Sequence, residues 1–149
     1  MTAVSFRYLA TIFTILRRQE MITPGMVHWT ELVSSDVDTS RNFYVEMFGW
    51  EFETISMPSG VDYTIFKSNG APVAGMIPMS CTTAPADTPN HWFTYFTVDD
   101  IDNACQMTIK AGGSVLRAPF FVPGVGSHAI VEAADGSPFG IVQPDANCD

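Results

Sequence analysis

Positive charge is scarce in this 149-residue chain: seven Lys and Arg stand against sixteen Asp and Glu, a formal net charge of −9. An acidic surface repels phosphate backbones and anionic bilayers, so nucleic-acid and membrane-surface roles are excluded as expectations. Long apolar runs are missing too. The longest, Tyr8–Leu16, is about nine residues, too short to cross a bilayer. Its arginines, Arg17 and Arg18, follow the run instead of preceding it, the reverse of a secretory leader. Cysteine is sparse: Cys81, Cys105 and Cys148 are odd in number and irregularly spaced, which argues against a disulfide framework and for a reducing, cytoplasmic setting. No phosphate-binding glycine loop, nucleophile elbow or triad spacing occurs.

What is present is hydrophobic content of 46% in a length that suits one domain or two small modules. His28–Val33 alternates with period two and predicts a strand. Asp36 or Asp38 then caps a helix whose stripe is Phe43, Tyr44, Met47 and Phe48, and Gly49 closes it before Trp50–Phe52 restarts the alternation. The design recurs. A shift of 64 carries Asp38–Gly49 onto Asp102–Gly113, and a shift of 66 carries Asn69–Pro78 onto Asp135–Pro144. A duplicated module of about 65 residues follows, each copy βαβββ. The modules are expected at about 26–79 and 91–144 within a domain spanning 26–146, with Ser80–Asn90 as linker and a frayed tail. Residues 1–25 stand outside the repeat; Phe6, Leu9, Ile12/Phe13 and Leu16 give them the spacing of a short amphipathic helix. In the second module Ala118–Ser127 carries Phe120 and Phe121, either as a lid or as a surface loop folded over the core.

The paired βαβββ pattern, the FYVEMFGW and VDDIDNA…AGG segments and the ADGSPFGIVQP ending resemble the glyoxalase/bleomycin-resistance/dioxygenase, or vicinal oxygen chelate, superfamily over residues 26–144. The resemblance implies an α+β fold, two tandem βαβββ modules forming curved mixed sheets around a cavity, with the N-terminal helix added. It also implies a homodimer. Metal-using members take one ligand from the first and one from the last strand of each module. Counted from the shared landmarks, those positions fall on Trp29, Phe93, Ala74 and Gly140. None of these side chains ligates a metal, so no metal and no cofactor is expected.

Strand parity suggests a replacement. Trp29 and Glu31 share a face, as do Phe93 and Tyr95, and Met76 follows Ala74 by two. Trp29, Glu31, Met76, Phe93 and Tyr95 are therefore the expected ligand-binding set, with Glu31 and Tyr95 as candidate acid–base groups. The competing account has Trp29, Phe93 and Met76 as core filling and Glu31 as a carboxylate bonded to Tyr95 or to backbone. A displaced metal site from His91, His128 and Glu31 is a further alternative. The expected function is a metal-free protein that binds a small aromatic or cationic molecule. The runner-up is a glyoxalase-like lyase or dioxygenase, metal-dependent or working through Glu31 and Tyr95.

Overall fold

Two aspartates set the helix starts. Asp36 accepts a hydrogen bond from the Thr39 amide at 3.0 Å, and Asp100 accepts one from the Asn103 amide at 2.9 Å. That bond to Thr39 also holds the Asp36 carboxyl below its ordinary pKa. Gly49, at φ 67°, ends the first helix by donating its N–H to the Val45 carbonyl. The computed structural model describes residues 23–57, 59–85 and 87–145; the helix expected over residues 6–16 lies outside them.

The element order is β1 (Val27–Ser34), α1 (Val37–Phe48), β2 (Glu51–Ser56), β3 (Asp62–Ser68), β4 (Ala71–Pro78), β5 (His91–Thr97), α2 (Ile101–Lys110), β6 (Ser114–Val122), β7 (Gly126–Glu132) and β8 (Pro138–Pro144). This is βαβββ twice, in the α+β class expected from the sequence. The described chain forms two compact units, residues 29–93 and residues 23–28 with 94–145.

In the first unit the strands run in the order β2-β3-β4-β1. β1 is parallel to β4, while β2–β3 and β3–β4 are antiparallel, with a shift in register at Phe66/Lys67. Leu32, Phe66, Ala74 and Met76 are buried, and Tyr44 and Val45 of α1 pack against them with Trp50 and Val73. No residue of α1 is itself buried. In the second unit the order is β5-β8-β7-β6, with β5 parallel to β8 and the other pairs antiparallel. Ile101 and Cys105 of α2 are buried on Ala129, Val131 and Ile141. Residues 23–28 join this unit through backbone bonds: the Gly25 N–H donates to the Thr97 carbonyl at 2.8 Å, and the Thr97 N–H to the Met26 carbonyl at 2.9 Å.

Among the described residues no helix is long and apolar enough to cross a membrane.

Candidate functional site

On the first unit's sheet face away from α1, three polar groups form a chain. The Trp29 indole N–H donates to the Tyr63 hydroxyl at 2.9 Å, and that hydroxyl donates to Glu31 Oε2 at 3.0 Å. The backbone makes this possible. Pairing of β1 with β4 puts Gly75 beside Glu31, and a Cβ on Gly75 would stand 1.7 Å from the Tyr63 oxygen and 2.9 Å from the indole nitrogen. Only glycine lets a tyrosine hydroxyl lie over the strand at that point. All three side chains are partly buried, so each bond in the chain is stronger than it would be in water.

The structure thus brings Trp29 and Glu31 together, adds Tyr63 and leaves Met76 out. Met76 is fully buried, pairs with Leu32 and Thr64, and faces α1. Its placement beside Trp29 is corrected by one residue. The distance from Glu31 to its β4 partner is 75 − 31 = 44 residues, whereas Tyr95 reaches Gly140 in 140 − 95 = 45. The shift of 66 that aligns the terminal prolines hides that difference, and a slip of one residue turns every side chain of a strand to the other face. The last-strand position of the first module is accordingly Gly75, not Ala74. Tyr63 shares the parity of Ile65 on β3, but no sequence motif marks it.

Phe93, in the same unit, meets His91 edge-on at 6.3 Å and accepts a bond from the Thr30 hydroxyl at its carbonyl, at 3.4 Å. The His91 Nδ1 lies 2.8 Å from the Pro89 carbonyl, the bond made by an Nδ1–H tautomer.

Tyr95 belongs to the second unit and has its own neighbours. Its ring lies on Gly140, where a Cβ would come within 2.0 Å of Cδ1, and its edge meets His128 at 5.7 Å. His128 stacks on Phe120 at 5.7 Å, and the Arg117 guanidinium sits 3.7 Å above that same ring. Burial lowers the His128 pKa to about 4; repulsion from His28 and Arg117 adds to this, and a bond to the Gly126 carbonyl opposes it. Burial also lowers the pKa of His28. Two buried atoms of this unit, His28 Nδ1 and Thr97 Oγ1, have no hydrogen-bond partner. Of this cluster the sequence singled out Tyr95, Gly140, His128 and Phe120, but not Arg117.

Two βαβββ units, each with its first strand parallel to its last, make a glyoxalase-like α+β protein. The sequence model described as the Glyoxalase/Bleomycin resistance protein/Dioxygenase superfamily matches residues 26–140, and the chain belongs to that superfamily. Among curated relatives it is 31% identical over 121 residues to the Mycobacterium tuberculosis protein named "Putative glyoxylase CFP32", covering 80% of this chain and 44% of that one. It is 32% identical over 133 residues to the anthracycline biosynthesis protein DnrV of Streptomyces peucetius, covering 79% of this chain and 46% of that one. The chain therefore spans less than half the length of these relatives. Among solved structures it resembles a methylmalonyl-CoA epimerase from Streptomyces coelicolor, with a TM-score of 0.60, 17% identity, 83% of this chain and 100% of that one. That likeness shows the fold alone.

The metal of metal-using members does not fit this chain. The positions that the family resemblance assigns to the ligands, Trp29, Phe93, Gly140 and, by the strand register, Gly75, offer no imidazole, carboxylate or thiolate. The indole N–H at the first position is a donor already engaged by Tyr63. Among the described residues, no three His, Cys, Asp or Glu are grouped to hold an ion, which leaves the displaced His91, His128 and Glu31 arrangement without support.

Proposed function

We propose that this protein is a metal-free small-molecule binder of the superfamily, holding an aromatic or cationic compound against the Trp29–Tyr63–Glu31 face. The observation that carries the reading is the hydrogen-bond chain from the indole through the Tyr63 hydroxyl to the carboxylate. It fixes the Trp29 ring as a flat stacking surface and keeps a carboxylate beside it, which together favour a planar ligand with a basic group. Phe93 supplies a second ring from the same unit. A homodimer in a cytoplasmic setting belongs to the same proposal, and light scattering at micromolar concentration tests the dimer.

The experiment is a tryptophan-fluorescence and thermal-shift screen of aromatic amines and matched neutral aromatics, alongside elemental analysis of the dialysed protein. Expected are amines bound without stoichiometric metal, a Glu31→Gln variant that loses amines more than neutral rings, and a Trp29→Ala variant weakened roughly a hundredfold. Stoichiometric zinc, nickel, iron or manganese, or variants that bind like wild type, would sink the proposal.

The same hydrogen bond favours one second reading. With Tyr63 donating to it, Glu31 is placed to accept a proton from a carbon acid and return it, as a lyase or isomerase requires. Incorporation of solvent deuterium into a bound carbon acid, lost in Glu31→Gln, would select this reading.

A further inference from the structure

The other side of the first unit's sheet carries an aromatic cleft that the preceding reading does not use. Thr30 and Ala74 alternate with Trp29 and Gly75 and so face α1. There, between α1 and the sheet, an opening of about 410 Å³ is lined by Thr30, Tyr44, Phe48, Trp50, Ala74 and Trp92, together with Val73. A hollow of about 300 Å³ adjoins it and shares Tyr44 and Trp92. Tyr44 stacks on Phe48 and on Trp50, each at 6.2 Å, and meets Trp92 edge-on at 5.2 Å. Phe48 is 54% exposed and Trp92 38%.

Three features of this cleft point to one kind of occupant. Its volume lies in the range of small-molecule sites and is too small for a helix. Its polar group has a defined role: the Trp92 indole N–H donates to the Tyr44 hydroxyl at 3.1 Å, so that oxygen acts as acceptor and keeps its own proton to donate. Its electrostatics favour a cation. Residues 29–93 contain eight Asp and Glu against two Lys and Arg, and both cations are committed, Arg41 to Asp38 and Lys67 to Glu53. Electron-rich ring faces in an acidic field attract positive charge and disfavour an anion.

We propose that this cleft is a second ligand site, taking a planar aromatic cation laid against the exposed Phe48 and Trp92 rings beside the Tyr44 hydroxyl. It stands independently of the Trp29–Glu31 site, since it lies on the opposite sheet face and shares no side chain with it.

Proflavine, a planar tricyclic cation, and anthracene-9-carboxylate, an anion of matched shape, are titrated into the full-length protein and followed by fluorescence anisotropy. Saturable binding of proflavine and at least tenfold weaker binding of the anion are expected. The titrations are made in Glu31→Gln, which removes the amine preference of the other face, and there Phe48→Ser and Trp92→Leu should each weaken proflavine about tenfold or more. Phe48 is half exposed, so its substitution leaves the fold intact, as far-ultraviolet circular dichroism of the variant checks. Unchanged proflavine binding in both cleft variants, or equal affinity for the anion, overturns the proposal. So does loss of the dye in Glu31→Gln alone, which would move it to the other face and leave the Trp29–Glu31 reading standing. Dissociation of a dimer by Phe48→Ser, with no dye bound by the wild type, would make a second copy of the chain the occupant and end the small-molecule proposal.

Discussion

The two modules share an architecture but not a way of seating the helix. The shift of 64 sets Ser40, Arg41 and Tyr44 of α1 against Ala104, Cys105 and Thr108 of α2. In the second unit the small side chains let α2 settle, and Cys105 is buried with Ile101 on Ala129, Val131 and Ile141. In the first unit Arg41 cannot enter such a core. It turns to Asp38 and to the face of the Phe52 ring, 4.8 Å away, and Tyr44 spans the remaining distance to the sheet. Duplication conserved the strand order, and three side chains per helix decided which module closed and which kept a cleft.

Exchanging those side chains breaks the comparison most severely. Cys105→Arg places an unpaired charge where the thiol is 8% exposed and should cost about 4 kcal/mol in a urea titration. The reciprocal Arg41→Cys should be nearly neutral. Equal costs would show that α1 is as closely packed as α2.

Next in size is a pH effect confined to the second unit. His128 binds a proton less readily folded, with a pKa of about 4, than unfolded, at 6.5. The unfolded chain therefore holds more protons between those values, and stability falls as pH drops from 6.5 towards 4. The loss is on the order of 3 kcal/mol, and His28 contributes with the same sign. His128→Gln should flatten most of this dependence in urea titrations at pH 7 and 5. A slope that survives the substitution would assign it to other groups.

Smaller again is the difference between the two glycines. Gly75→Ala forces the Tyr63 hydroxyl from its place and should cost about 2 kcal/mol of stability by overpacking. Tyr63→Leu in the same chain should recover much of it, a coupling that a double-mutant cycle reads directly. Gly140→Ala drives a Cβ into the Tyr95 ring itself and should cost more, with no recovery from removing the hydroxyl in Tyr95→Phe. The smallest expected effect is Arg41→Leu, within about 0.5 kcal/mol, because the Asp38 end of the pair is 81% exposed and screened by solvent.

The helix ends and the doubled strand order were legible because they depend on local chemistry: Asp36, Asp100 and Gly49 act on backbone groups within one turn of themselves. The Trp29–Glu31 pairing on one face was legible for the same reason, as two residues on one strand. Met76 and Gly75 were not. Choosing between them needs the register of two strands more than forty residues apart, and the proline landmarks that fixed the alignment differ by one residue from the pairing that fixes the face. Tyr63 reaches Glu31 from β3, and the cleft under α1 depends on how far a helix stands from its sheet. Neither distance is written in any local pattern.

The split of the chain into two units has a spectroscopic consequence. All three tryptophans, Trp29, Trp50 and Trp92, fall within residues 29–93. Indole emission is therefore a reporter of the first unit alone, while far-ultraviolet dichroism sums over the helices and strands of both. If the closed unit outlasts the one with the open cleft, the two signals will trace separate melting curves from a single sample. No label need be attached to tell the halves of the protein apart.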